Sequence, residues 1–228
     1  LHLSLRRQRQ MCIRDSPPTS NLVEFNKKLQ AAKNRMHSNY AFYFGATPDN
    51  TDQLAKLKDV EGCCGVKLFA GSSTGNLLVD KEADIEKVIS SSDRIVSIHS
   101  EDEDIIKLRK KFIKKGDVHS HAEWRNIEVA MSSTRRVVKI AERYNKKIHV
   151  LHVTTRDEVD FLAMHKKNVT FETTPQHLTM YAPDCYDKLG TCLLYTSDAA
   201  DEGLGVDLGG RRLIKKKGGG GGGGGGGG

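Results

Sequence analysis

The chain has 228 residues, 37% of them hydrophobic, with a formal net charge of +7 and five cysteines. No apolar stretch reaches the ~20 residues that a membrane-spanning helix needs, so a membrane partner is not expected. The two ends hold much of the charge, +3 in residues 1–16 and +1 in residues 192–228, which leaves +3 for residues 17–191 and removes the case for a nucleic-acid partner.

Residues 6–16 read RRQRQMCIRDS and residues 192–202 read CLLYTSDAADE. These strings back-translate into a transposase-type sequencing adapter and its reverse complement. Codons for Leu3, Ser4 and Leu5, reverse-complemented, also encode Gly203, Leu204 and Gly205. The lysines 215–217 and the glycines 218–228 then read as AAA and GGG tracts, and a glycine run has no side chain with which to form a core. The expected organisation is adapter-derived sequence over 1–16 and 192–228, flanking one folded unit over 17–191. Three cysteines remain in that unit, Cys63, Cys64 and Cys185. An odd number with no zinc-ligand spacing fits a reducing, cytoplasmic setting.

Strand-like and helix-like patterns then alternate along the chain. Leu22, Phe25, Leu29, Ala32 and Met36 recur at helical spacing, and Asn21 with Glu24 supplies a cap and its N3 partner. A strand over 40–44 precedes a short polar helix over 51–58. A second strand, 64–69, leads through the glycine- and serine-rich stretch 71–76 to a helix over 82–90. The third strand, 95–99, is followed by a charged helix over 102–114. A longer helix carries Ile127, Ala130, Met131, Thr134, Val137, Val138 and Ala141 on one face. The fourth strand covers 148–153, and Thr155 with Glu158 has capping-box spacing for a helix ending near Met164. The last strand, 169–173, stops at Pro175.

Repeated β-then-α units with short apolar strands predict a parallel sheet covered by helices, either a barrel or a doubly wound sheet. The first strand is not followed by a G-x-G-x-x-G loop, which weakens a dinucleotide-binding reading. In a barrel the catalytic groups stand at the C-terminal ends of the strands. Three such ends carry groups able to hold a metal: Lys67 in GVKLF, His99 in IVSIHSED and His152 in IHVLHVTT. His149 and His152 are three residues apart, so strand alternation points them to opposite faces. His152 shares its face with Ile148 and Val150, and the histidine nearer the strand end is favoured as the interior one. His119 and His121 lie in a polar stretch and are expected to be solvated. Cys63 reads as a small core residue, and residues 71–76 as a loop at the barrel mouth.

The strings VKLFAGSSTGNLLVD (66–80), IHSEDE (98–103), SHAEWRNIEVA (120–130), IHVLHVTT (148–155) and TPQHLTMYAPDCYDKLGT (174–191) occur in the order and spacing of a known family. Residues 17–191 resemble the dihydroorotases of the amidohydrolase superfamily. The resemblance implies an α/β fold, a partial (β/α)8 barrel lacking its first and last strands. It implies that Lys67 is the carboxylated lysine bridging two Zn2+ ions, and that His99 and His152 are ligands of the second ion. Carbamate oxygen and neutral imidazole are suitable zinc donors, and a shared pair of zinc ions activates water at neutral pH. That water would attack the ring amide of a small-molecule substrate, dihydroorotate. Arg125 and His177 are candidates for substrate-side or supporting groups, with a plain structural role the favoured reading for each. The family's first-strand His-x-His pair and eighth-strand aspartate are expected outside residues 17–191, so no catalytic acid–base residue is assigned and the chain alone is expected to be inactive. Allantoinase and dihydropyrimidinase share the lysine and histidine pattern and are the alternatives. A non-catalytic subunit on aspartate transcarbamoylase is a further one, although it would be expected to have lost its metal ligands. Expected partners are a second copy of the chain or aspartate transcarbamoylase. A barrel without its end strands would also leave open sheet edges.

Overall fold

The computed structural model describes residues 17–71 and 77–190. The adapter readings for both ends and most of the 71–76 loop therefore lie outside the described residues. Helix α1, Leu22–Ala32, starts where Asn21 accepts from the Glu24 amide at 2.9 Å, as its cap spacing predicts. Strand β1 is Phe42–Gly45. The short α2, Thr51–Leu54, runs directly into a 3-10 turn over Ala55–Asp59. Strand β2 is Cys63–Phe69, α3 is Glu82–Ser91, and β3 is Val96–His99. Helix α4, Glu103–Arg109, is capped by the Asp102 carboxylate. Of the two histidines expected in a solvated loop, His121 lies in the first turn of a helix, α5, Ser120–Trp124, and His119 stands just before it. The long α6, Ile127–Arg143, buries the predicted face except for Ile127 at its start, which is 52% exposed. Strand β4, Ile148–Val150, ends three residues earlier than its apolar run suggests. Helix α7 is Arg156–Leu162 and β5 is Val169–Phe171. Two short helices follow, α8, Pro175–Thr179, and α9, Asp184–Leu189.

All five strands pair in parallel, in the order β1-β2-β3-β4-β5. Each strand thus lies beside its successor, whereas a doubly wound sheet reverses its order at a switch point. One face of the sheet, with Val66, Leu68, Val96, Ile98, Ile148 and Val150, packs on Ile85, Val88 and Ile89 of α3, on Val137, Val138, Ile140 and Ala141 of α6, and on Leu162 of α7. The register places Lys67, Ser97, His149 and Thr170 side by side on the other face, with Phe69 beside His99 one step nearer the strand ends. Sequential parallel strands with their helices on one side form an arc of a (β/α) barrel, and the second face is its interior. Close approach there requires Gly65, because a Cβ would stand 2.9 Å from the Tyr43 ring. Tyr43 uses that space to reach Ser97, whose hydroxyl lies 3.2 Å from the Tyr43 hydroxyl.

Among the described residues, no helix is long and apolar enough to cross a membrane.

Candidate metal-binding site at the strand ends

The expectation for β4 requires correction. Alternation continued from Ile148 and Val150 would aim residue 152 into the helix layer, because those two residues face the helices. The interior residue of β4 is His149, which pairs in register with Ser97, and its Nδ1 lies 2.8 Å from the Thr170 hydroxyl. His152 reaches the interior by another route. The strand stops at Val150, and His152 has φ +39°, a left-handed conformation that costs a non-glycine residue about 1–2 kcal/mol. That turn breaks the two-residue period and brings the imidazole over the end of β3.

There His152 Nε2 lies 3.1 Å from His99 Nδ1, with the two rings edge-on at 4.9 Å between centroids. Lys67 stands on the same interior face, and its Nζ lies 4.3 Å from the centre of the Phe69 ring. Phe69 in turn packs 6.0 Å from the His99 ring, centre to centre. The structure thus brings the two imidazoles into direct contact and sets Lys67 on the neighbouring strand, two residues deeper.

His99 is buried, and its other nitrogen, Nε2, lies 2.8 Å from Glu101 Oε2. The same oxygen accepts from the Arg125 guanidinium. Burial alone would raise the Glu101 pKa. The His99 contact and the Arg125 charge outweigh it and hold the carboxyl at about 2. Glu101 was not among the residues singled out from sequence. Its signal was the i, i+2 spacing from His99 in HSE, which on extended backbone returns to the same side. Arg125, at the end of α5, has a side chain only 8% exposed, and it also lies against the Trp124 ring. Gly71 closes in from the end of β2, where a Cβ would stand 2.6 Å from Glu101 Cβ.

A second polar chain fixes the two strand ends from behind. Ser100 Oγ lies 2.9 Å from Thr134 Oγ1, which donates to Glu158 Oε1 at 2.9 Å. Thr155, at the end of the His152 turn, donates to Glu158 Oε2 at 2.9 Å and accepts from the Glu158 amide at 3.2 Å. Burial raises the Glu158 pKa despite those hydrogen bonds. The turn after β3 and the turn after β4 are therefore tied through one buried carboxyl on α7.

The remaining expectations resolve as follows. His177, at the first turn of α8, is half-buried, and its burial lowers the imidazole pKa. His121 is not simply solvated, since its Nδ1 lies 3.0 Å from the Tyr186 hydroxyl. His119, more exposed, lies 3.2 Å from Asp187. Cys63 is buried in the core, as expected.

The donor set can be tested against a metal. Two nitrogens bound at about 2.0 Å to one tetrahedral zinc lie roughly 3.3 Å apart. The His99–His152 separation of 3.1 Å is close to this. A carboxylate on the outer nitrogen of His99 is the usual companion of a ligating imidazole. Among the described residues no group of three or more His, Cys, Asp or Glu side chains is placed to hold a metal ion. The two imidazoles thus have the nitrogen spacing of part of a zinc site.

No protein-family profile matches the chain. It is 25% identical over 178 residues to the L-hydantoinase of Paenarthrobacter aurescens, covering 74% of this chain and 39% of that protein. It is 28% identical over 189 residues to an allantoinase of Streptomyces avermitilis, covering 78% and 41%. It is 21% identical over 170 residues to a dihydroorotase of Methanosphaera stadtmanae, covering 71% and 38%. Among solved structures, the L-hydantoinase (dihydropyrimidinase) from Arthrobacter aurescens superposes with a TM-score of 0.71 at 23% identity, over 78% of this chain and 41% of that one. The fold is that of the amidohydrolase barrels. The curated relatives are cyclic amidohydrolases of three kinds, and no one kind is singled out. The chain spans about two-fifths of the length of the amidohydrolases it matches.

Proposed function

We propose that this chain carries part of the binuclear zinc centre of a cyclic amidohydrolase, and that the ring concerned is dihydroorotate. The reading rests on one observation, the convergence of His99 Nδ1 and His152 Nε2 beside a lysine on the same interior face. In this proposal a carboxylated Lys67, His99 and His152 hold two Zn2+ ions. Those ions supply Lewis acidity at the amide carbonyl and activate water for its attack. The protein's own part is positional. Arg125 and Glu101 orient His99, and the Thr155–Glu158 cap holds the turn that presents His152.

Dihydroorotate is placed first because the strings around Lys67, His99 and residues 174–191 resemble those of dihydroorotases. Allantoinases and hydantoinases are supported equally by similarity, so allantoin and hydantoins are the competing substrates. The cytoplasmic setting, and association with a second copy or with aspartate transcarbamoylase, belong to the same proposal. So does the reading that the remaining ligands lie outside residues 17–190 and that these residues alone turn nothing over.

The test is the uninterrupted reading frame that contains residues 17–190, expressed with zinc and assayed in parallel on dihydroorotate, allantoin and a 5-substituted hydantoin. Turnover of dihydroorotate, lost on chelation and in Lys67→Ala, His99→Asn and His152→Asn, is the expected result. Turnover of allantoin or hydantoin alone would replace the substrate but keep the centre. Activity that survives chelation and all three substitutions would refute the site.

A further inference from the structure

We infer that Glu101, itself held by Arg125, is a positioning residue that decides which nitrogen of His99 carries the proton. The inference deepens the proposed zinc centre and depends on that reading only for its consequence.

A neutral imidazole has one N–H, and an ionised carboxylate can only accept. Glu101 Oε2 lies 2.8 Å from His99 Nε2, so the proton belongs on Nε2. The lone pair is then left on Nδ1, the nitrogen that faces His152 at 3.1 Å. With the proton on Nδ1 instead, the nitrogen turned toward the second imidazole could not bind a cation.

Arg125 holds the carboxylate in this place from its other side. The Arg125 guanidinium has donors only and so meets the carboxylate as a donor. Its side chain is 8% exposed and pairs with the same Oε2 atom. Geometry also fixes the backbone from which the carboxylate extends. Gly71 packs on the Cβ and backbone of Glu101, with room for no Cβ of its own, and the next residue, Asp102, is anchored by its amide to Val129 O at 2.9 Å and by its role as the α4 cap. A purely structural ion pair would need neither the contact to His99 nor this anchoring.

The test reads the imidazole before any metal is added. Long-range 1H–15N NMR of the metal-free chain at pH 8, with His99 assigned by His99→Gln, is expected to show a single Nε2–H tautomer. Two variants probe the cause. Glu101→Asp keeps the charge beside Arg125 but withdraws the carboxylate by one methylene. Glu101→Met with Arg125→Met removes both charges together. In each folded variant the tautomers are expected to mix, and Co2+ affinity, read from its visible spectrum, is expected to fall about 10–100-fold. A folded variant that keeps one Nε2–H tautomer and undiminished Co2+ affinity would overturn the inference. A fixed tautomer in a protein expressed from the uninterrupted reading frame that still binds no Co2+ would uphold the positioning and sink the zinc centre.

Discussion

The Glu101 carboxyl offers a quantitative check on the electrostatics of the site. Its value of about 2 in the folded chain compares with an ordinary 4.5. A difference of that size is worth about 3 kcal/mol at ~1.4 kcal/mol per unit, an upper figure because the side chain is 16% exposed rather than fully enclosed. The folded pKa is the lower one, so the folded state binds the proton less readily than the unfolded state. The stabilisation is therefore complete above pH 4.5 and disappears as pH falls through about 2. Glu101→Gln leaves an oxygen for His99 and Arg125 but cannot titrate. Urea unfolding of both proteins in chelator, from pH 7 to pH 2, should show wild type losing about 3 kcal/mol relative to the variant below pH 5. A gap that stays constant across the series would refute the claim that Arg125 and His99 hold this carboxyl ionised.

Three further outcomes are expected. His152→Asn, a residue that tolerates left-handed backbone, should melt close to wild type, whereas the β-branched His152→Val should lose about 1–2 kcal/mol in the same denaturation assay. Gly71→Ala should cost about 1–3 kcal/mol, because its Cβ would collide with Glu101, and should shift the His99 ring resonances. Unchanged resonances would show that Gly71 does not set the position of Glu101. Burial raises the Glu158 pKa, so its favourable contribution is complete below the ordinary carboxyl range and is lost as pH rises through the folded value. Glu158→Gln should therefore gain on wild type between pH 4 and pH 8, as followed by thermal melting. A widening deficit would contradict the sign.

The strands were legible because buried parallel strands are short apolar runs, and 64–69 and 95–99 differ from the observed β2 and β3 by one residue each. The caps of α1 and α7 were equally plain, since Asn21 and Thr155 bond the amides that their spacing predicts. Helices α5, α8 and α9 were missed because they span only five or six residues and have no periodic face long enough to read. Periodicity also misled at β4. It counted His152 as a strand residue, and a single left-handed φ cancelled the rule on which that count depended. Lys67 and His99 could be found by strand position. Glu101 escaped notice because its role comes from two partners, one of them 24 residues away on another element, Arg125.

The imidazole pair is built by two adjacent strands, β3 and β4, and by the helix layer between their turns. Strand β3 is the middle member of the arc, and β4 is shielded by β5 on its other side. Fraying of the sheet from its ends must therefore pass through at least one complete strand before it can separate the two rings. Amide hydrogens of β3 should be the last to exchange, and the spacing between the nitrogens should outlive much of the surrounding structure during gradual denaturation.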